Sequence, residues 1–371
     1  MLKPLRRLDQ LVSVRGLAAW LVVLFHSIAL LRVALPTLPP WVFDVIAHGY
    51  LAVDFFFVLS GFIIFINYHD KFTTDFWHNA SAFYWNRFTR IYPVHFLMML
   101  AYLALACSFF YFSVSKSLPL TYTLQSFVEN LALVQAWSGT STSWNVPSWS
   151  ISAEWFVYLL FPVFAVLIRK HVRSLIAHFS LVFVVLLMVF AISQIQLNMP
   201  GTEGGTADVT ALPLVRAFYE FVLGTIVGSL FIHHQHTLTK NRMAWTGMIV
   251  ATGLGFAYLG IPGNITTPVI CFLVVCVMSV DTSPLTQLLS KQPLVYLGEI
   301  SYSTYMVHYF VYDVYKATWL KRLDQVSPAS LLISFAIVLL LSIIMHKFIE
   351  MPAQRYLRLG RFKGLSTMVR T

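Results

Sequence analysis

The sequence predicts an all-α, polytopic integral membrane protein with about ten transmembrane helices and both termini cytoplasmic. Three observations predict it. Hydrophobic residues make up 58% of the 371 positions and charged residues only 11%, whereas a soluble domain carries about 25% charged residues. Mean hydropathy is accordingly high, at +0.73. Ten apolar runs are long enough to cross a hydrocarbon layer of ~30 Å. The lysines and arginines between those runs also fall mainly on one side, as the positive-inside rule requires.

The runs lie at about 16–35, 49–68, 91–113, 153–169, 175–195, 213–232, 243–260, 265–280, 296–317 and 329–348. An even number of spans returns both termini to one side. With the N-terminus cytoplasmic, the inner segments hold Lys3, Arg6, Arg7, Arg15, Lys71, Arg87, Arg90, Arg169, Lys170, Arg173, Lys240, Arg242 and Lys291. The tail adds Lys347, Arg355, Arg358, Arg361, Lys363 and Arg370. Arg32, Lys116, Lys321 and Arg322 fall outside, with Arg216 and Lys316 at outer span ends. The first apolar run continues past signal-peptide length and is read as a retained span.

Residues 1–371 are expected to form one membrane-embedded domain without internal repeats, ending in a short basic tail at about 353–371 suited to anionic lipid. Two outer loops are long. Residues 114–152 are rich in Ser, Thr and Trp, including Trp137, Trp144 and Trp149, and residues 196–212 are Gly-rich. Tryptophans there suit either an interfacial belt or stacking on sugar faces. The formal charge of +10 would point to nucleic acid in a soluble protein. Here it follows from scarce acids and the positive-inside bias, so no nucleic-acid partner is expected. Cys107, Cys271 and Cys276 sit in apolar runs and behave as small hydrophobes; neither a disulfide nor a metal site is expected.

The first span, RGLAAWLVVLFHS, carries a cation and a histidine eleven residues apart, Arg15 and His26. That spacing is three helical turns plus roughly 20°, so the two share a face about 16 Å apart along the axis. His26 is then well inside the membrane, where an ionisable group is a functional-site hypothesis by default. Span two holds Asp54 a turn or two below the outer surface. A carboxylate meeting His26 would fix its tautomer and make it a general base, or would be a structural ion pair between helices. Arg87 and Arg90, three residues apart at the inner end of span three, share a helix face. With Arg15 they form a candidate clamp for a phosphorylated cytoplasmic ligand, although arginines at inner span ends are also ordinary topology signals.

At the outer entry to span four, Trp149 and Ser150 precede Glu154, an acid placed either to hold an acceptor hydroxyl or to cap a helix N-terminus. In span nine, His308 lies inside the membrane with Tyr305 on the same side at i−3. The alternative there is a core histidine satisfied by a neighbouring hydroxyl. Glu350, followed by Met351 and Pro352, reads as a helix terminator. His233, His234 and His236 lack the further ligands of a metal site, and neither a Gly-rich phosphate loop nor HExxH occurs.

Seven stretches then coincide in order with one family: RGLAAWLVVLFH at 15–26, GYLAVDFFFVLSGF at 49–62, NRFTRIYP at 86–93, SWSISAEWFVYLLFP at 148–162, YEFVLG at 219–224, SYSTYMVH at 301–308 and FIEMP at 348–352. The sequence resembles the membrane acyltransferase 3 family, multi-pass O-acyltransferases of cell-envelope and exported carbohydrates. One departure is Ala52, where many members have glycine before the Val-Asp pair.

The resemblance implies an enzyme of the bacterial inner membrane that moves an acyl group, acetyl by default, from cytoplasmic acyl-CoA to a carbohydrate or lipid-linked glycan hydroxyl. Acetyl-CoA is a co-substrate and no bound cofactor is expected. The family's motifs map onto His26 and Asp54 as catalytic residues and onto Arg15, Arg87 and Arg90 as acyl-CoA contacts. Glu154 would assist at the reaction centre, and Trp149, Ser150, Tyr305 and His308 would contact the acceptor. The C-terminal esterase-like domain of some members is expected to be absent. His26 would act as base or as a transient acyl carrier. The rival is a transporter or flippase for a polar or lipid-linked solute, which also places ionisable residues at mid-depth; a sensor that binds acyl-CoA without turnover is a third possibility. Consumption of acetyl-CoA in the presence of a glycan acceptor separates the three.

Overall fold

The computed structural model describes residues 8–112, 121–137, 143–197, 213–258, 263–318 and 326–358, and these are helical with no strand among them. In chain order the helices are α1 (Asp9–His26), α2 (Ile28–Ala34), α3 (Pro40–Ala47), α4 (Ala52–Tyr68), α5 (Phe76–Phe112), α6 (Leu124–Leu131), α7 (Trp149–His171) and α8 (Leu175–Leu197). They continue as α9 (Pro213–Lys240), α10 (Arg242–Tyr258), α11 (Gly263–Val280), α12 (Pro284–Leu289), α13 (Gln292–Glu299), α14 (Ser301–Thr318) and α15 (Pro328–Met345).

Among the described residues, six stretches are long and apolar enough to cross a membrane: Asp9–His26, Pro40–Tyr68, Phe76–Tyr111, Val146–His171, Pro213–Lys240 and Pro328–Arg358. Two shorter apolar stretches, Leu175–Ala191 and Thr266–Val280, match the fifth and eighth expected runs. The protein is therefore an all-helical, multi-pass membrane protein.

Several expected runs are divided or extended. The first is two helices, because α1 stops at His26 and α2 starts at Ile28. The amide of Ser27 splits between the carbonyls of Val23 and Leu24, at 3.2 and 3.1 Å, so the helical ladder is distorted directly after the histidine. The ninth run divides at Ile300, between α13 and α14. The third is extended at its start: α5 has 37 residues, about 55 Å at 1.5 Å per residue, so Arg87 and Arg90 lie inside a helix and not at its start. The loop 196–212 lies almost wholly outside the described residues, as do 113–120, 138–142 and the tail from 359.

The chain divides into two compact units. The first comprises residues 1–18, 51–76 and 159–299. Its core is built by α4 and α9, with Val58, Phe62, Leu223, Ile226 and Leu230 buried beside Phe272 and Val275 of α11. Small residues let these helices touch backbone to backbone, the way helices associate where burial of apolar surface drives nothing. A Cβ on Gly61 would lie 2.1 Å from the Phe221 carbonyl oxygen, and one on Gly224 would lie 1.9 Å from that of Val58. Gly224→Ala is therefore expected to force α4 and α9 apart and to destabilise the protein by about 3 kcal/mol, the upper end for overpacking. Thermal unfolding in detergent measures this, and an unchanged midpoint would mean that the two backbones do not touch.

The second unit comprises residues 19–50, 77–158 and 300–371. Here α14 and α15 pack side by side, and Leu30, Leu31, Ile46, Tyr315 and Leu331 form a buried cluster. Two helix starts are capped reciprocally, Thr123 with Ser126 at α6 and Ser327 with Ser330 at α15, which satisfies amides that would otherwise lack partners. Trp144 is an internal residue of this unit and neither a belt nor a sugar-stacking face. It is 5% exposed, packs on Tyr122 and Phe127 with ring centroids 4.5 and 4.8 Å away, and its indole N–H donates to Ser126 Oγ at 3.0 Å.

Candidate functional site

The break after α1 leaves the His26 imidazole at a helix end within the second unit. Three rings surround it: Phe25 at 4.9 Å, Tyr309 at 5.0 Å and His308 at 5.2 Å between centroids. His308 and Tyr309 are successive residues of α14. His308 is 2% exposed, and its Nδ1–H donates to the carbonyl of Tyr305 one turn earlier, at 2.7 Å. A carbonyl only accepts, so this bond assigns the proton of a neutral ring to Nδ1 and leaves Nε2 as a bare acceptor. That Nε2 is buried and has no hydrogen-bond partner.

Tyr305 carries the arrangement onward to the loop before α7. Its hydroxyl donates to the Pro147 carbonyl at 2.9 Å and meets the Ser150 hydroxyl at 2.8 Å. Asn145 adds a third link, its side-chain amide donating to the Met306 carbonyl at 3.0 Å. The motifs at 148–162 and 301–308, remote in sequence, are thus tied together beside His26. Of the expected site residues, His26, Ser150, Tyr305 and His308 form this one cluster. Trp149 opens α7 next to Ser150 and is half-buried.

The remaining expected residues have other company. Glu154 accepts the hydroxyl of Tyr158, one turn further along α7. The Arg87 guanidinium lies over the rings of Phe83 and Tyr158, at 5.8 and 5.9 Å from their centroids. Arg90 pairs with Glu350; Glu350 also accepts from Ser303 at 2.8 Å and meets His346 at 3.0 Å. Glu350 is 1% exposed and ends a π-helical turn, His346–Glu350, a distortion frequent at functional sites. It is therefore the hub of a polar network and not a helix terminator, and Arg90 is bound to it from across the sequence.

In the first unit, Arg15 donates to the carbonyl of Gly298 at 2.6 Å, where α1 and α13 come together over Gly16 and Gly298. Asp54 has its ion pair within this unit. Its Oδ1 accepts from Arg216 Nε at 2.6 Å, and Glu220 lies 3.5 Å from the same nitrogen. Asp54 and Glu220 are fully buried and Arg216 is 3% exposed, so one guanidinium serves two carboxylates inside the core of α4 and α9. Two histidines expected in a loop lie inside α9 and are occupied: His233 Nδ1 meets the Ser229 carbonyl at 2.9 Å and His234 Nε2 that of Arg173 at 2.8 Å.

Sequence reading therefore missed Arg216, Glu220 and Glu350. Their signal was present, since each is an ionisable residue in or at the end of an apolar run and so should be paired; the identity of each partner was not.

The comparisons cover nearly the whole chain. The profile of a family described as an acyltransferase domain matches residues 9–347. The acyltransferase MdmB of Streptomyces mycarofaciens is 27% identical over 344 residues, covering 86% of this chain and 84% of its own length. The exopolysaccharide production protein ExoZ of Rhizobium meliloti is 27% identical, covering 86% of this chain and 92% of its own length. The peptidoglycan O-acetyltransferase OatA of Listeria monocytogenes is 24% identical over 85% of this chain, which spans only 53% of that protein. No solved structure matches. The match across nearly the whole chain places this protein in the acyltransferase 3 family.

Proposed function

We propose that this protein is an inner-membrane O-acyltransferase that passes an acyl group, acetyl in the first instance, from cytoplasmic acyl-CoA to a hydroxyl of a cell-envelope or exported carbohydrate. The observation that carries the proposal is the half-buried His26 imidazole at a helix break, beside α14 and the loop that α14 holds. The names of two relatives, a peptidoglycan O-acetyltransferase and an exopolysaccharide production protein, support a carbohydrate acceptor. The one-sided distribution of lysine and arginine supports ten spans with both termini inside.

In the proposed reaction His26 takes the proton of the acceptor hydroxyl as its oxygen attacks the thioester carbonyl. The carbon–sulfur bond then breaks, and the departing CoA sulfur receives the proton from His26. Atoms and charge balance without a bound cofactor. Arg15 and Arg87 are proposed to bind the phosphates of the donor. Arg90, already neutralised by Glu350, would hold the helices of that end in place. Asp54 would stabilise the fold through Arg216. Trp149, Ser150 and Tyr305 would line the approach of the acceptor, and Glu154 would assist there.

The test uses the purified protein in lipid nanodiscs with acetyl-CoA and either peptidoglycan fragments or exopolysaccharide. Release of free CoA that depends on the glycan is expected. No release with any glycan would overturn acyl transfer in favour of transport or sensing. In the same assay Arg15→Ala and Arg87→Ala are expected to raise the KM for acetyl-CoA about tenfold, the loss of one charge-assisted contact, with little change in kcat. An unchanged KM in both would reduce these cations to topology signals.

A further inference from the structure

We infer that His308 is the positioning residue of the site, its Nε2 accepting the ring N–H of His26 and so presenting the other His26 nitrogen, bare, to the attacking hydroxyl. The inference rests on the acyltransferase reading above, and it gives His308 a different task from contact with the acceptor. A histidine base needs its tautomer fixed and its imidazolium stabilised, tasks a carboxylate usually performs. The carboxylate expected here, Asp54, pairs through Oδ1 with Arg216 in the first unit.

What lies against His26 within its own unit is His308. The direction of the bond follows from the far side of that ring. Nδ1–H is held by the Tyr305 carbonyl, so the other ring nitrogen, Nε2, carries a lone pair and no proton. Ring nitrogens lie about 1 Å from their centroid, so rings 5.2 Å apart bring two nitrogens to about 3 Å when both point along the line of centres. Catalytic hydrogen bonds are often loose before substrate binds and tighten in the complex.

A second feature supports an assigned task for Nε2. Buried acceptors in helical proteins are nearly always satisfied, and this one is 2% exposed yet has no partner, although its own ring is anchored through Nδ1. The groups facing it from the packed elements are Tyr305 and Tyr309 of α14 and His26 of α1. Tyr305 spends its hydroxyl on Pro147 and Ser150. Of the other two, the His26 ring is the nearer, at 5.2 Å between centroids against 6.3 Å for Tyr309, and its N–H is the donor assigned to Nε2.

Two substitutions separate this task from a structural one. Asparagine reproduces the Nδ1–H donor and so keeps the bond to Tyr305, but ends short of Nε2. Glutamine reaches the Nε2 position with an oxygen acceptor. With acetyl-CoA and whichever glycan supports CoA release in the native protein, His308→Gln is expected to stay within about tenfold of native kcat. His308→Asn is expected to fall about 100-fold, within the range of acid–base contributions. The KM for acetyl-CoA should stay within about twofold in both. Equal activity of the two variants would overturn the inference. So would a joint loss of activity with loss of CoA binding or of a monodisperse protein, since that marks a packing role. If the native protein releases no CoA with any glycan, the acyltransferase proposal itself fails, a result visible before either variant is made.

Discussion

Replacing His26 with alanine is expected to lower turnover about 10³-fold or more, the scale of a lost general base, while insertion, folding and CoA binding stay near native. The imidazole is half-buried and its recorded neighbours are rings, Phe25, Tyr309 and His308, so truncation removes aromatic contacts and breaks no ion pair. The helix around it is also tolerant, because α1 already ends there. Loss of transfer with retained binding of CoA, measured on the same preparation, is the signature of a group that acts on the acceptor and not on the donor. A His26→Ala protein with undiminished acetyl transfer would remove the centre of the proposed mechanism.

The second large effect concerns stability. Arg216→Met is expected to cost about 3–5 kcal/mol, because it leaves Asp54 and Glu220 buried without their cation. Both carboxylates are fully buried and lie on helices that touch backbone to backbone. The combined variant Arg216→Met, Asp54→Asn, Glu220→Gln is expected to recover most of the loss, since replacing all members of a buried ionic group is often nearly neutral. Thermal unfolding in detergent of the single and triple variants measures both. A single variant as stable as the native protein would show that the pair is not what holds α4 to α9.

Much of the fold was legible because the bilayer imposes simple rules. The apolar runs at 175–195 and 265–280 became α8 and α11 with bounds shifted by a few residues, since length and hydropathy decide such spans. The division after His26 was not legible. Phe25, His26 and Ser27 are compatible with a continuing helix, and the stop is a matter of how the Ser27 amide is shared and what packs on the ring. The start of α5 at Phe76 was hidden for the opposite reason: residues 76–90 are polar enough to read as a loop, and packing rather than hydropathy makes them helical.

For the site, the motifs announced Ser150, Tyr305 and His308 as candidates near the acceptor, and the hydrogen bonds among Tyr305, Pro147 and Ser150 explain why two distant stretches belong together. The pairing of Asp54 with Arg216 was not legible, because depth along a helix says nothing about which helix faces it.

By itself, then, the sequence determined the class of the molecule, its multi-pass character and its family, all of which follow from composition, period and motif order along one chain. Only the tertiary structure decided the partners. Asp54 belongs to Arg216, Arg90 to Glu350, and His26 lies against His308. The physical reason is that pairing of buried charges and rings depends on helix neighbours and rotation, which close glycine contacts such as Gly61 with Phe221 set and which no one-dimensional spacing encodes.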